Sequence, residues 1–333
     1  MLSVLLPFRD VAPWLEAAIA STLADPACDE LVAIDDGSRD DSLAVAERVA
    51  RADRRVVIVR REESGGVAAA LAAGLAVARG ELVGRMDGDD VSLPGRLGAA
   101  RARLLEDARL AAVGTRVRAV TAPSVAATGE GILRYVTWQN GLVTAADHAR
   151  EIFVETPLCH PSVVMRRDAL ERVGGYHDAP WPQDWDLWLR FDAAGLALAK
   201  VPEVLFEWRH RPGRATFEAA TTRLERLVAL RAHYLAPRLH ARGPFALWGA
   251  GKTGKHLARA LEPHGVRPAL FVDIDPRKIG RTARGLPIVG PEDAYASGLF
   301  LVAAVGEPGA REVLRARLRA AGRVEPEAVL FAA

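Results

Sequence analysis

The N-terminal part of the chain alternates short apolar runs with longer helix-forming segments, and this alternation restricts the fold more than any other feature. Strands that alternate with helices at this spacing form a parallel sheet covered by helices. Pro13 stands where a helix begins, and Gly80 follows the last helical segment as a stop signal. The predicted strands are Ser3–Leu6, Leu31–Ile34, Val56–Val59 and Glu81–Met86, and the predicted helices are Pro13–Leu23, Asp41–Ala52 and Val67–Ala78.

The C-terminal part predicts a second and smaller α/β unit. We expect a first domain at 1–236, a linker at 237–243 and a second domain at 244–333. The region between the two alternating parts is less regular and includes a predicted loop at 123–131. Further predicted strands are Ser162–Met165, Val204–Trp208, Phe245–Trp248, Ala269–Val272, Phe300–Val305 and Val329–Phe331, and further predicted helices are Asp168–Val173, Asp184–Ala194, Thr216–Tyr234, Lys252–Leu261 and Ala310–Ala321.

Composition and charge exclude several classes of protein. Half of the 333 residues are hydrophobic, which is enough apolar material for two cores and excludes a disordered chain. The net charge of +2 comes from 44 basic and 42 acidic residues, so we expect no nucleic-acid partner. The longest apolar runs, Met1–Pro7 and Val67–Ala78, are shorter than the roughly 20 residues that span a bilayer. We interpret Met1–Leu6 as a buried strand and not as a leader.

Cysteine content predicts the compartment. The chain has two cysteines, Cys28 and Cys159, so a disulfide framework is not expected. Both are interpreted as small buried hydrophobic residues of a reduced, cytoplasmic protein.

Acidic clusters follow two of the predicted strands. Asp35 and Asp36 end the second strand, and Asp87, Asp89 and Asp90 follow the fourth. Open α/β sheets bind ligands at the carboxyl ends of their strands. Turn chemistry explains either cluster by itself, but three carboxylates within four residues repel one another unless a cation or solvent intervenes. A hard divalent cation with oxygen ligands, which also bridges substrate phosphates, satisfies this arrangement.

The segments around these clusters resemble family 2 glycosyltransferases of the GT-A fold. The resemblance extends from about residue 2 to about residue 214 and consists of several motifs in the same order. The matching segments are Leu5-Leu6-Pro7, the stretch from Val32 to Asp40, the stretch from Gly84 to Asp90 followed by Pro94, Arg96 and Leu97, and the stretch from His160 to Arg190.

This resemblance implies an inverting transfer of a sugar from a nucleoside-diphosphate sugar. By that likeness Pro7 lies beside the base and ribose of the donor, and Asp36 contacts the nucleobase. Asp87 and Asp89 frame a metal-binding Asp-x-Asp motif, in which Asp89 is the direct ligand of Mn²⁺ or Mg²⁺. Such a cation stabilises the charge that develops on the leaving diphosphate. Arg85 adds a positive charge to the donor site, or else it is a surface strand residue.

The acceptor side of the resemblance centres on Asp184. An inverting displacement needs a carboxylate that takes the proton of the acceptor hydroxyl, and Asp184 stands where the family has this base. A helix N-cap is the alternative role for an Asp at this place. Gln183 replaces the Glu that usually precedes the base. Trp181 and Trp185 flank the base and either stack on an acceptor sugar or pack in the core, whereas His160 is expected near the donor sugar.

One departure from the family pattern concerns a histidine. Relatives carry a His in a Trp-Arg-x-His-like run that reaches the metal or the diphosphate. Here His210 comes one place early, and Arg211 takes the expected position. Because side chains alternate along a strand, a shift of one residue reverses the face. Either a loop absorbs the shift and His210 binds the metal, or Arg211 serves the diphosphate.

The second domain contains a glycine motif between a strand and a helix. Gly249, Gly251 and Gly254 form G-x-G-x-x-G, and Asp273 ends the next strand, as in dinucleotide-binding folds. His256 stands where a P-loop needs Ser or Thr, which excludes an ATPase. The segment resembles the small Rossmann-like domain of some sugar acetyltransferases, which implies binding of a nucleotide or nucleotide sugar. Close packing of the turn is the alternative.

The leading hypothesis is thus a metal-assisted glycosyltransferase of polysaccharide biosynthesis. Its partners would be a nucleotide-sugar donor and a glycan or lipid-linked acceptor, the latter reached by peripheral contact with a membrane. A nicotinamide-dependent oxidoreductase leaves the acidic motifs of residues 1–242 unexplained. A non-catalytic nucleotide-sugar sensor would fit the departures at Gln183 and His210, but the presence of Asp87, Asp89 and Asp184 opposes it.

Overall fold

The computed structural model describes residues 1–122, 129–211, 223–307 and 309–333. Part of the loop predicted at 123–131 and the start of the helix predicted at Thr216–Tyr234 lie outside these residues, as does the end of the family-like segment at Arg214. The chain divides into two compact units. The first comprises Met1–Ala149, Thr156–Ala179 and Gln183–Glu218, and the second comprises Arg150–Glu155, Pro180–Pro182 and Ala219–Ala333.

The first unit begins with the alternating strands and helices that the sequence predicts. Its elements are β1 (Leu2–Phe8), α1 (Ala12–Leu23), β2 (Glu30–Asp36), α2 (Ser42–Ala52), β3 (Val56–Arg61), α3 (Gly66–Val77), β4 (Leu82–Arg85), β5 (Val91–Ser92), α4 (Arg96–Glu106), β6 (Leu110–Thr121), α5 (Glu130–Gly141), α6 (Ala145–Glu151), a 3₁₀ helix (His160–Ser162), β7 (Val164–Arg166), α7 (Arg167–Arg172), α8 (Gln183–Ala193) and β8 (Ala197–His210).

An eight-stranded sheet organises this unit, with the strand order β3-β2-β1-β4-β7-β6-β8-β5. The first four strands in that order are parallel, as are β6 and β8. Strand β7 is antiparallel to both of its neighbours, and β5 is antiparallel to β8. The predicted mainly parallel sheet is confirmed.

Burial explains why the central strands have mostly apolar sequences without alternation. Every residue of β1 and β2 is buried, because helices cover both faces of a parallel sheet. In α1, Leu15, Ala18, Ile19 and Thr22 are buried at helical spacing, so one face of this helix packs on the core. Strands β1, β2 and β4 run in the same direction, and their carboxyl ends therefore bring the acidic clusters to one edge of the sheet.

The second unit is built on a six-stranded sheet with the order β11-β12-β10-β9-β13-β14, parallel except for the pair β11 and β12. The predicted small α/β domain is thus present. Its elements are α9 (Leu224–Arg242), β9 (Phe245–Trp248), α10 (Lys252–Leu261), a 3₁₀ helix (Glu262–His264), β10 (Leu270–Val272), β11 (Thr282–Ala283), β12 (Leu286–Val289), α11 (Pro291–Ala296), β13 (Phe300–Ala303), α12 (Ala310–Ala320) and β14 (Val329–Phe331).

The predicted linker at 237–243 is wrong. Helix α9 continues through Pro237 to Arg242 and ends at Gly243, whose φ is +86°. Pro237 costs the helix one backbone hydrogen bond, but Leu235, Ala236 and Leu239 bury the apolar face around it. Tertiary packing therefore outweighs the local preference, and α9 belongs to the second unit.

Within the described ranges, no helix has both the length and the apolar character needed to cross a bilayer.

Two glycines of the G-x-G-x-x-G turn are required by packing within the second unit. A Cβ on Gly254 would lie 1.9 Å from the carbonyl oxygen of Gly249. Gly249 has a φ of +117°, and a Cβ there would lie 2.5 Å from the carbonyl oxygen of Ala304. Gly251 faces open space, with no atom of the described chain within 4 Å of a Cβ built on it. The turn is thus both a packing device and a surface at which a ligand could approach the backbone.

We predict that Gly254→Ala destabilises the second unit and that Gly251→Ala does not. The first substitution forces a methyl group against a backbone carbonyl, and overpacking of this kind typically costs about 1–3 kcal/mol. The second adds a methyl group where there is room. Urea unfolding monitored by the fluorescence of the tryptophans measures both free energies of unfolding. Equal stability of the two variants would contradict the packing role.

Candidate active site

The predicted site residues lie mainly at the carboxyl ends of the first unit's strands. Pro7 is near the end of β1, Asp36 ends β2 and Arg85 ends β4. The acidic triad, defined as Asp87, Asp89 and Asp90, follows β4 directly. The other predicted site residues of this unit are His160 in the 3₁₀ helix, Asp184 and Trp185 in the first turn of α8, and His210 at the end of β8.

The acidic triad brings three carboxylates together. One oxygen of each of Asp87, Asp89 and Asp90 lies within 4.8 Å of the others. Asp89 and Asp90 are buried, and Asp87 is half-buried. Arginines and a backbone amide offset this negative charge. Arg85 forms an ion pair with Asp87, Arg211 Nε donates to Asp89 Oδ2 at 2.7 Å, and the backbone N–H of Arg209 donates to Asp90 Oδ1 at 2.7 Å.

The donor set of the triad fits a divalent cation. Mg²⁺ prefers carboxylate oxygens, and Mn²⁺ is suited to the same ligands. Three carboxylates so close together repel one another, and a divalent cation relieves that repulsion more fully than hydrogen bonds do. Asp89, which the resemblance names as the direct ligand, would hold the cation together with Asp87 and Asp90.

His210 is not part of the triad's cluster. Among the residues described, the group whose ligand atoms approach within 4.8 Å consists of the three carboxylates, and the His210 ring instead lies edge-on to Trp208 at 4.4 Å between centroids. Side chains alternate along β8, so Trp208 and His210 share one face while Arg211, one residue on, reaches Asp89. The structure therefore brings Arg211 to the candidate metal ligand, and metal binding by His210 stays a prediction.

Arg85 lies at the centre of the site's electrostatics. Its side chain is buried, and its Nε has no hydrogen-bond partner within the part of the chain that the structure describes. The positive charge of Arg85 acts on His160, Tyr176 and Asp184, whose pKa values it lowers. The interpretation of Arg85 as a surface strand residue is wrong, because β4 is buried on both faces. A buried guanidinium with a spare donor is suited to an anionic ligand.

His160 is a neutral, buried ring. Burial lowers its pKa well below the usual range, and the charge of Arg85 lowers it further. Its Nδ1 lies 3.0 Å from Gln183 Nε2, and its Nε2 lies 3.5 Å from the Tyr176 hydroxyl. With an amide nitrogen beside it, Nδ1 of the neutral ring is the acceptor of this hydrogen bond. Gln183 thus contacts one ring nitrogen of His160, and Tyr176 contacts the other.

Asp184 lies in the first turn of α8, where its Oδ1 accepts a hydrogen bond from the backbone N–H of Trp185 at 2.8 Å. Burial raises the pKa of the Asp184 carboxyl. Asp87 raises it further, while the backbone hydrogen bonds and Arg85 oppose the shift. The carboxylate is thus coupled to the charges of the triad, and it is more basic than an exposed Asp.

Asp36 is fully hydrogen-bonded. Its Oδ1 accepts from Arg61 at 2.8 Å and from the Gly65 backbone N–H at 3.1 Å, and its Oδ2 accepts from the Ser64 hydroxyl at 2.7 Å and from the Gly66 backbone N–H at 3.0 Å. These bonds tie the end of β2 to the start of α3. The nucleobase contact expected of Asp36 stays a prediction. Pro7 is buried and pairs with Ile34 of β2.

The two tryptophans expected on the acceptor side differ in position. Trp185 is fully buried, which favours core packing over stacking on a sugar. Trp181 belongs to the second unit, where its ring centroid lies 5.3 Å from that of His233. Acceptor binding by Trp181 stays a prediction.

In the second unit, Asp273 accepts hydrogen bonds from neighbouring residues. Its Oδ2 accepts from the Ala250 backbone N–H at 3.2 Å and from Lys278 Nζ at 2.8 Å, and its Oδ1 accepts from the Asp275 backbone N–H at 3.0 Å. These bonds hold the glycine turn against the end of β10. They serve the packing role directly, so ligand binding by Asp273 and Gly251 stays a prediction.

Arg96 is a site residue whose role the sequence reasoning missed. It is fully buried, and its guanidinium donates to the Ser92 hydroxyl at 2.7 Å and to the carbonyl oxygens of Arg85 and Pro161, each at 3.1 Å. Burial lowers its pKa to about 10, so the group remains charged at neutral pH. The signal available in the sequence was an arginine at an otherwise apolar position of a helix's inner face.

A model of glycosyl transferase family 2 matches residues 3–174, more than half of the chain. The chain therefore belongs to this family. The matched segment contains the acidic triad, Arg85, Arg96 and His160.

Curated relatives match over part of their length. The chain is 41% identical over 95 residues to the succinoglycan biosynthesis protein ExoU of Rhizobium meliloti (strain 1021), with 28% of each protein covered. It is 30% identical over 184 residues to the putative glycosyltransferase EpsE of Bacillus subtilis (strain 168), covering 54% of this chain and 62% of EpsE. It is 31% identical over 182 residues to the amylovoran biosynthesis glycosyltransferase AmsE of Erwinia amylovora, covering 54% and 64%. The chain thus spans less than two thirds of each relative.

Solved structures share the fold. The S. aureus protein TarS, in complex with UDP-GlcNAc, superposes with a TM-score of 0.56 at 17% identity, covering 79% of this chain and 72% of that one. The mannosyltransferase PcManGT of Pyrobaculum calidifontis, in complex with GDP-Man and Mn²⁺, superposes with a TM-score of 0.51 at 17% identity, covering 98% and 81%. The fold is GT-A-like, as the sequence predicts.

We predict that Arg96→Ala lowers the free energy of unfolding by about 3 kcal/mol or more, because it leaves several buried acceptors without a donor, each worth roughly 1–3 kcal/mol. Urea unfolding measures the change. Arg103→Ala, which removes a half-exposed arginine from the same helix, is the control and should change stability little. Equal effects of the two substitutions would show that Arg96 does not brace the site.

Proposed function

We propose that the chain is an inverting, metal-assisted glycosyltransferase. It would transfer a hexose from a nucleoside-diphosphate sugar to a glycan or lipid-linked acceptor in polysaccharide biosynthesis. The observation that supports this most is that Arg85 interacts with two acidic groups: it pairs with Asp87 of the triad, and its charge acts on the carboxyl of Asp184, whose pKa is raised. Membership of glycosyl transferase family 2 supports the reaction class.

The donor side would be formed by the triad and the arginines. A divalent cation, Mn²⁺ or Mg²⁺, supplies positive charge to the leaving diphosphate when it is bound. Asp89 would be its main ligand, and Asp87 and Asp90 would complete the site. The unpartnered Nε of Arg85 would donate to the donor phosphate or sugar. Pro7, Asp36 and His160 remain the expected donor contacts.

Asp184 would be the general base. In an inverting displacement the acceptor hydroxyl attacks the anomeric carbon while a carboxylate takes its proton. A carboxylate is a better base when its pKa is raised toward the working pH, and burial of Asp184 raises its pKa in this way. Asp184 also accepts the N–H of Trp185, but as the second residue of α8 it is not the N-cap.

The solved structures do not select one donor nucleotide. TarS is in complex with UDP-GlcNAc and PcManGT with GDP-Man, so two nucleotides occur on this fold. The names of ExoU and AmsE concern succinoglycan and amylovoran biosynthesis, which favours an exopolysaccharide acceptor over a small molecule. We expect the reaction to take place in the cytoplasm, with peripheral membrane contact if the acceptor is lipid-linked.

The second unit is proposed as an accessory to this reaction. The open approach to Gly251 favours a bound nucleotide or nucleotide sugar, as the resemblance to the small domain of sugar acetyltransferases implies. Calorimetry with UDP-GlcNAc and NAD⁺ separates this from a nicotinamide-dependent enzyme, because hydride transfer would require NAD⁺ to bind.

We predict that UDP- or GDP-sugar hydrolysis by the chain depends on Mn²⁺ or Mg²⁺ and that Asp89→Asn abolishes it. The substitution removes the carboxylate charge that would hold the cation. A panel of nucleotide sugars, with release of nucleoside diphosphate as the readout, measures the activity. Asp107→Asn, an acidic residue outside the site, should leave it unchanged. Full activity of Asp89→Asn, or activity independent of metal, would overturn the metal assignment.

We predict that Asp184→Asn removes transfer, keeps donor binding and raises the melting temperature above pH 7. General-base catalysis is typically worth about a hundred- to ten-thousand-fold. Because the folded pKa of Asp184 is raised, the stability contributed by its neutral carboxyl is present below the unfolded pKa and is lost as pH rises through the folded pKa. Asparagine never carries that buried charge.

The stability difference should therefore shrink as the pH falls toward the ordinary range of an Asp carboxyl. Thermal melts across pH, with calorimetric titration of the donor, measure both effects. If donor binding fell together with turnover, Asp184 would be a folding residue and not the base.

A further inference from the structure

The guanidinium of Arg211 contacts Asp89, the residue that is expected to hold the cation. Its Nε donates to Asp89 Oδ2 at 2.7 Å, and both side chains are nearly buried, with 13% and 7% of their surface exposed. The guanidinium carbon also lies 4.9 Å from the centroid of the Trp14 ring, within the range of a cation–π interaction. Two elements, the end of β8 and helix α1, therefore hold this positive charge at the triad.

Arg211 and Asp89 form an ion pair in which the guanidinium balances the charge of the carboxylate. Buried carboxylates are stable as anions when a charged donor is near, and a guanidinium remains protonated at any working pH. Arg85 has the same relation to Asp87, and the Arg209 backbone N–H to Asp90. In the state described here, each carboxylate of the triad thus has a positive or dipolar partner supplied by the chain itself.

A divalent cation and the guanidinium of Arg211 would both interact with the carboxylate of Asp89. Two positive centres on one carboxylate repel each other at the short distances of ligand bonds, more so where water is scarce. A metal at Asp89 is therefore bound more weakly while Arg211 stays at Oδ2. When a protein is competent to bind in only a fraction of its molecules, the apparent affinity falls by that fraction.

We propose that Arg211 is a built-in counter-ion of Asp89 that competes with the divalent cation and, once displaced, binds the diphosphate of the nucleotide. The proposal rests on the proposed function, since it assumes that the triad holds a metal. If Arg211 acts in this way, the affinity for the metal alone is low. The affinity rises when an anion binds Arg211 and removes it from Asp89. Metal and nucleotide would therefore bind together more tightly than separately.

The test measures binding of Mn²⁺ alone, by the electron paramagnetic resonance signal of the free ion, to the full-length chain. We expect Arg211→Ala and Arg211→Gln to bind Mn²⁺ at least about fivefold more tightly than the wild type, because the competing charge is gone. In the presence of Mn²⁺, the same variants should bind UDP and GDP more weakly than the wild type. Asp89→Asn should abolish Mn²⁺ binding in the wild-type and Arg211→Ala backgrounds.

Arg118→Ala is the matched control. It removes an exposed arginine of the same strand pair, β6 and β8, whose ion-pair partner is Glu207 and not a carboxylate of the triad, and it should leave Mn²⁺ affinity unchanged. Equal Mn²⁺ affinity in the wild type and both Arg211 variants would overturn the competition while leaving the metal site intact. Absence of Mn²⁺ binding in every protein would overturn the metal-assisted function as well. Loss of the folded state in both Arg211 variants, by circular dichroism, would assign Arg211 a structural role and overturn the proposal.

Discussion

The buried guanidinium of Arg96 is the contact on which the geometry of the site depends. Its hydrogen bonds join the carbonyl oxygens of Arg85 and Pro161 to the hydroxyl of Ser92. Three segments that are distant in the chain are thereby fixed: the end of β4 before the acidic triad, the 3₁₀ helix that carries His160, and β5. A single planar group with fixed donor directions can hold three acceptors at once, which a lysine cannot do with the same geometry.

The charged groups near Arg96 affect one another's pKa values. Arg85 lowers the pKa of His160 and opposes the upward shift at Asp184, while Asp87 acts in the other direction on both groups. Burial makes both charged forms costly, and for this reason His160 is neutral and Asp184 is more basic than an exposed Asp. A polar network in such surroundings stabilises the fold only if its members are satisfied. The spare donor of Arg85 is therefore a feature that a bound anion would complete.

The features of the fold that depend on local periodicity and on strand direction could be predicted from the sequence. Parallel strands ending in Asp36 and Arg85 bring their acidic clusters to one edge, and this follows from alternation alone. The sequence could not predict that α9 runs through Pro237, because buried neighbours decide that, or that Arg96 reaches a carbonyl 65 positions away at Pro161. The side of β8 that faces the triad depends on where the extended backbone ends, so the sequence leaves both His210 and Arg211 as candidates, and the structure shows the contact of Arg211 with Asp89.

Gln183 illustrates how one neutral side chain preserves this charge balance. A Glu at this position would add a second carboxylate beside Asp184, and the resulting repulsion would raise the pKa of Asp184 beyond the effect of burial. A Glu would also accept a proton from His160, where the Gln183 amide instead donates to Nδ1 at 3.0 Å. The neutral amide therefore adds no charge beside His160 and no second carboxylate beside Asp184, while Asp186 pairs with Arg190 at 2.8 Å. Replacing the family's Glu thus changes the electrostatics of this turn without removing its base.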